Sequence, residues 1–81
     1  MADGVLLGYK RFKAKSGTDC CMFTIVRDAK PREKSWGQVG QVAEENFAPT
    51  DQVEYLSEKM IGKEMNLYWD HGYLERIEVL N

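Results

Sequence analysis

The stretch that decides the fold is VLLGYKRFKAKSGTDCCMFTIVRDAKPREKSW, which runs from Val5 to Trp36. From Val5 to Lys15 the side chains alternate between two faces, a period that is typical of a β-strand, with Gly8 at a bulge or bend. Residues 16–19 have turn chemistry, and a β-rich run follows from Cys20 to Val26. The stretch therefore predicts a hairpin of two long strands.

The segment after this hairpin, from Arg27 to Ser35, lacks large apolar residues and is rich in lysine and arginine. We expect it to be a long basic loop bordered by Trp36. Two interpretations of Trp36 stay open: the indole lies beside the loop as part of a binding surface, or it starts the next strand and fills the core.

The middle of the chain predicts a third strand and a helix. Trp36 to Ala48 is interpreted as a bent strand, because two glycines are costly inside a helix but allow a strand to curve. Thr50 to Gly62 is interpreted as a short helix with one apolar stripe, capped by Thr50 and ended by Gly62.

The end of the chain predicts a second hairpin. Lys63 to Asp70 alternates, a tight-turn signal follows at residues 70–72, and Tyr73 to Leu80 forms the return strand. The predicted order is β-β-β-α-β-β in a single domain over residues 1–81. This all-β order with one short helix predicts a five-stranded OB-fold-like barrel, with an SH3-like barrel as the alternative.

Charge and composition limit the function classes. The chain has 81 residues and a net charge of -2, but the charge is split. The first 34 residues carry eight basic and four acidic groups, and the rest carry three basic and nine acidic groups. One cationic surface is therefore expected.

Localisation is expected to be cytoplasmic. No apolar run is long enough to cross a bilayer, and the start, Met1-Ala2-Asp3, lacks a secretory signal. The adjacent Cys20 and Cys21 would form a strained disulfide, so we expect both to be reduced, one in the core and one on the opposite face.

Several segments together resemble the small single-stranded-DNA-binding proteins of phages and mobile elements, the gene-five-type group. These segments are Gly8-Tyr9-Lys10-Arg11-Phe12, Lys15-Ser16-Gly17, Cys21-Met22-Phe23-Thr24-Ile25-Val26, Gly62-Lys63-Glu64-Met65-Asn66-Leu67 and Gly72-Tyr73-Leu74. The resemblance lies in the length of the chain, the order of the strands and the kinds of residue along them. It implies largely sequence-independent, cooperative coating of single strands, often by a homodimer, during replication or transfer of DNA. The acidic second half departs from that pattern.

The candidate binding residues are cations interleaved with aromatic rings, the combination that holds single strands. They are Tyr9, Arg11, Lys13, Lys15, Arg27, Lys30, Arg32, Lys34, Trp36, Tyr68 and Tyr73. Phe12, Phe23 and Trp69 are assigned to the core.

Catalysis, metal and cofactor sites are not expected. The carboxylates do not form a pair around a cleft, His71 lacks a nucleophile, and no phosphate-binding glycine loop is present. The expected partner is single-stranded DNA, with RNA left open, and neither a membrane nor a small-molecule substrate. The alternative function is a protein-interaction or inhibitory module that uses the acidic residues Glu44, Glu45, Glu54 and Glu58 against a basic partner.

Overall fold

The structure is a computed structural model that describes residues 3–80. Met1, Ala2 and Asn81 lie outside the described residues, and so does part of the N-terminal sequence used to predict localisation. No helix among the described residues is long and apolar enough to cross a membrane.

Five antiparallel strands form one sheet in the order β3-β2-β1-β4-β5. The strands are β1 (Gly4–Lys13), β2 (Asp19–Asp28), β3 (Gln41–Ala48), β4 (Glu64–Asp70) and β5 (Tyr73–Val79). The prediction of a mostly β chain with two hairpins is confirmed. The edge strands β3 and β5 approach each other, so the sheet curls, but no ladder of backbone hydrogen bonds joins them among residues 3–80.

The central strand β1 carries a bulge that sets which side chains face the core. Its register shifts between Leu6 and Gly8, so Leu7 is an extra residue in the ladder. Leu6 is paired with Ile25, and Tyr9 is paired with Phe23, so all four share the inner, core-facing side of the sheet. The assignment of Phe12 to the core is wrong, because the extra residue inverts the alternation after Leu6 and places Phe12 on the outer face.

The core lies on the inner face, where side chains of β1, β2, β4 and β5 meet those of the turns after β3. Its fully buried members are Leu6, Cys21, Phe23, Ile25, Leu56 and Met65. Both cysteines are free thiols; Cys21 lies in this core and Cys20 lies half-buried on the opposite, outer face. The predicted placement of the two cysteines is confirmed.

The helix predicted from Thr50 to Gly62 is replaced by two 3-10 turns, η1 (Thr50–Gln52) and η2 (Glu58–Met60). Val53 and Leu56 are buried as the stripe predicts, but Ser57 has extended backbone angles that stop a continuous helix. The apolar spacing thus identified the buried side chains and not the backbone conformation.

The one α-helix of the described residues, α1 (Pro31–Ser35), lies inside the segment predicted to be a basic loop. Pro31 occupies its first turn, and the Glu33 side chain accepts a hydrogen bond from the Lys30 backbone N–H at 2.9 Å. Residues 36–40 then connect α1 to β3. The strand predicted from Trp36 begins only at Gln41, because Gly37 and Gly40 adopt positive φ angles.

Candidate nucleic-acid interface

The predicted cations fall into two groups at opposite ends of the hairpin of β1 and β2. Lys13 and Lys15 are exposed beside the β1–β2 loop, whereas Lys30, Arg32 and Lys34 follow the far end of β2. Ten residues of strand separate these ends, a distance of about 30 Å. The structure therefore does not bring the predicted cations together into one surface.

Arg11 faces inward and is bound to the turns after β3. Its Nε donates a hydrogen bond to the carbonyl oxygen of Val53 at 2.9 Å, and its Nη2 donates to the carbonyl oxygens of Val53 and Leu56. The guanidinium also lies 5.1 Å from the ring centre of Tyr9, which packs against the core. Tyr9 and Arg11 thus hold the η1 segment onto the sheet.

Arg27 is bound to two carboxylates at the other end of β2. Its Nη1 and Nη2 donate to the Glu33 carboxylate at 2.8 and 3.0 Å, and Nη2 lies 3.4 Å from Glu44. The bond with Glu33 raises the pKa of Arg27. Bonds from Arg27 and from the Lys30 backbone N–H lower the pKa of Glu33 to about 2. Arg27 therefore fixes α1 to the sheet.

The segment around α1 presents its remaining predicted residues to solvent. Lys30, Arg32 and Lys34 are exposed, and the Trp36 side chain is 75% exposed. The guanidinium of Arg32 lies 5.7 Å from the centre of the Trp36 ring. The interpretation that Trp36 fills the core is wrong, since the indole lies outside it.

The two predicted tyrosines of the second hairpin lie in different surroundings. The Tyr68 ring lies 4.2 Å from the Arg76 guanidinium, and its hydroxyl donates to Glu78 at 3.1 Å. Tyr73 is 79% exposed at the start of β5 and faces the edge of β3. Tyr73 is therefore the available ring of the two.

Four aromatic side chains lie on and beside β3, and we call them the aromatic row: Phe12 of β1, Phe47 of β3, and Trp69 and Tyr73 of the second hairpin. Phe12 and Phe47 lie on the outer face in edge-to-face contact, with ring centres 6.3 Å apart. Phe47, Trp69 and Tyr73 line one open groove of about 370 Å³. Phe47 is 65% exposed and Trp69 is 51% exposed.

Sequence reasoning missed most of this row. Trp69 does alternate with buried Leu67, but half of its surface is exposed because β3 and β5 leave a gap beside it. Phe47 follows three polar residues, Glu44-Glu45-Asn46. A single aromatic residue beside charged residues in a strand was the sequence signal that could have identified it.

One lysine, Lys10, lies in line with the row on the outer face of β1. Lys10 pairs with Met22, which pairs with Phe47, so the three side chains cross the outer face in one line. A second groove of about 530 Å³ adjoins Phe12 and is lined by Lys13 and Arg11, but also by Asp19 and Glu54. The local charge is therefore mixed, with Lys10 on the outer face and both basic and acidic side chains in the second groove.

Comparison of the chain with known protein families, with curated proteins and with solved structures gives no significant match. Within residues 3–80, no three histidine, cysteine or acidic side chains are placed to hold one metal ion.

Proposed function

We propose that the protein binds single-stranded nucleic acid where the outer face of β3 meets the second hairpin, with bases stacked on the aromatic row. The observation that carries this proposal is the exposure of Phe47, Trp69 and Tyr73 beside one groove. Each base stacked on an aromatic ring contributes about 1 to 3 kcal/mol, whatever its identity. Paired bases are already stacked within a duplex, so this surface favours single strands.

Phosphate contacts come from three exposed lysines: Lys10 on the outer face, Lys13 beside Phe12 in the second groove, and Lys15 in the β1–β2 loop. Three contacts to a single strand predict a salt slope of about -2 in log affinity against log salt. The net charge of -2 limits the long-range attraction further. Binding is therefore expected to depend more on stacking than on charge.

The resemblance to the gene-five-type group favours DNA over RNA as the ligand, and it favours a role in replication or transfer of phage or mobile-element DNA. It also suggests a homodimer. Cytoplasmic localisation fits the two free thiols, since thiols stay reduced there.

The decisive experiment is a titration with oligo-dT, read by tryptophan fluorescence. The chain has two tryptophans, so Trp36→Phe leaves Trp69 as the only reporter. Quenching of Trp69 with a negative salt slope supports the proposal. Absence of binding at low salt overturns it, and equal affinity for duplex DNA contradicts the preference for single strands.

A matched pair of variants tests the aromatic row. Phe47→Ala removes one stacking ring and is expected to weaken oligo-dT binding by about 1 to 3 kcal/mol. Tyr55→Ala removes an exposed ring from the segment between η1 and η2 that lines neither groove, and is expected to change the affinity little. Equal losses from the two variants would count against the row.

The alternative function, capture of a basic partner by the acidic half, has less support. Glu44 is already bound to Arg27, whereas Glu54 and Glu58 are exposed. The variant Glu54→Lys with Glu58→Lys distinguishes the two: it is expected to leave oligo-dT affinity unchanged or higher. A loss of affinity would indicate that these carboxylates take part in binding.

A further inference from the structure

A second exposed surface lies at the α1 end of the molecule and takes no part in the proposed nucleic-acid site. We call it the Trp36 patch; its members are Lys30, Arg32, Lys34, Trp36 and Val39. Val39 is 90% exposed, the most exposed large apolar side chain of the described residues. None of the five lines the groove beside the aromatic row.

The backbone of the patch is fixed by hydrogen bonds within the protein. The Glu33 carboxylate joins Arg27 to the start of α1, and the Glu33 carbonyl oxygen accepts hydrogen bonds from the backbone N–H of Trp36 and of Gln38, each at 3.0 Å. A preordered surface loses less conformational entropy when it binds. The segment from Lys30 to Val39 therefore presents its side chains to solvent on a preordered backbone.

The chemistry of the patch selects the kind of partner. Within residues 3–80, no carboxylate lies within ion-pair distance of Lys30, Arg32 or Lys34, so these cations are available to an acidic ligand. Tryptophan and arginine dominate protein–protein hot spots. Arg32 already lies against the Trp36 ring, and the aliphatic Val39 offers no ring for base stacking. These features fit a peptide better than a nucleic acid.

We propose that the Trp36 patch docks an acidic peptide segment that carries apolar side chains. Carboxylates of the segment pair with the three cations, and its apolar side chains cover Trp36 and Val39. Arg32, Lys34, Trp36 and Val39 line neither groove of the nucleic-acid site, whereas Lys30 lines a smaller cavity together with Trp69, so the two surfaces adjoin at Lys30.

The test uses a labelled synthetic peptide of repeated Asp-Asp-Phe units, with binding measured by fluorescence anisotropy at low salt. We expect saturable binding to the wild-type chain and no binding of Lys-Lys-Phe repeats. Trp36→Ala, and separately Arg32→Glu with Lys34→Glu, should each weaken peptide binding by about tenfold or more, the effect expected when a hot-spot residue is replaced. An Asp-Asp-Ser peptide should bind more weakly than Asp-Asp-Phe.

A second cation–aromatic pair provides the matched control. Arg76 lies over Tyr68 on the second hairpin, so Arg76→Glu changes charge by the same amount per site without touching the patch. It should leave peptide affinity within about twofold, and thermal unfolding checks that every variant folds. Failure of the Asp-Asp-Phe peptide to bind overturns the proposal. Displacement of the peptide by oligo-dT overturns it also, because the patch would then belong to the nucleic-acid surface.

Discussion

Arg11 and Arg27 lie at opposite ends of the hairpin of β1 and β2, both on the inner face, and each holds one connecting segment. Arg11 donates to the backbone carbonyl oxygens of Val53 and Leu56, whereas Arg27 donates to the carboxylates of Glu33 and Glu44. The two arginines are alike in sequence, since each follows an alternating run. They differ in the charge of their partners.

The difference explains the conformation of each segment. The carbonyl oxygens that Arg11 occupies belong to residues that would accept backbone hydrogen bonds in a continuous helix, so Arg11 favours separate 3-10 turns. Arg27 instead binds a side chain at the start of α1 and leaves the helix backbone free. An uncharged partner makes the first contact insensitive to pH, and a charged partner makes the second one sensitive.

The largest effect is expected from Arg27→Met, which keeps much of the apolar stem but leaves two carboxylates without their cation. The Arg27 side chain is only 13% exposed, and bonds of this charged kind contribute about 1.5 to 3 kcal/mol. We expect a loss of about 2 to 3 kcal/mol in the free energy of unfolding, measured with urea. Arg32→Met, at an exposed arginine of α1, is the control. An equal loss from both would show that Arg27 has no special role.

A smaller loss, about 1 to 2 kcal/mol, is expected from Arg11→Met. The carbonyl oxygens of Val53 and Leu56 can bind water instead when the guanidinium is removed, because the contact is only partly buried. Urea unfolding measures the loss, and Lys13→Met on the same strand serves as the control. If Arg11→Met proves more costly than Arg27→Met, the ranking of the two contacts is wrong.

Acid should separate the two arginines further. The pKa of Glu33 in the folded state is about 2, below the ordinary value of about 4.3. The ion pair with Arg27 therefore contributes fully to the free energy of unfolding above a pH of about 4.3. The contribution is lost as the pH falls from about 4.3 through about 2. The difference in stability between the wild type and Arg27→Met should therefore shrink over this range. The difference for Arg11→Met should stay nearly constant in the same unfolding series; a parallel decline would contradict the assignment.

The smallest effect is expected from Arg32→Ala with Lys34→Ala on oligo-dT affinity. Six residues of β2, about 20 Å, separate Asp28 near α1 from Met22, the cross-strand partner of Phe47. This separation exceeds the Debye length of about 8 Å at physiological salt. Neither Arg32 nor Lys34 lines a cavity with Trp69 or Tyr73. A titration at that salt should show a change below about twofold, against Lys10→Ala as the comparison. A larger loss of affinity, uniform over sequences, would show that Arg32 and Lys34 belong to the nucleic-acid surface.

The strands of this fold could be predicted from the sequence because each is a local pattern of alternation between two turns. Local patterns did not reveal the partners of the arginines, since Arg11 is bound to residues more than forty positions away. The short helix could have been predicted, because Pro31 and Glu33 form a helix start signal. The basic composition of the segment indicated a loop instead. The aromatic row depends on how β3 meets the second hairpin, which is a tertiary contact without a local signature.

A pattern of period two also could not predict which face each side chain of β1 occupies, because one extra residue interrupts the alternation. Gly8 drew attention to a bulge, yet alternation alone did not show that Leu7 was the residue left over.

The bulge at Leu7 marks the point where β1 leaves its short pairing with β4, through Gly4 and Val5, and continues with β2 alone. A bulge bends and twists its strand, so Leu7 influences the angle between the first hairpin and the second. Phe47 on β3 and Tyr73 on the second hairpin line one groove, so this angle affects the width of the groove. Gain or loss of a single codon in β1 is thus a route by which evolution could widen or narrow the groove without replacing any residue that lines it.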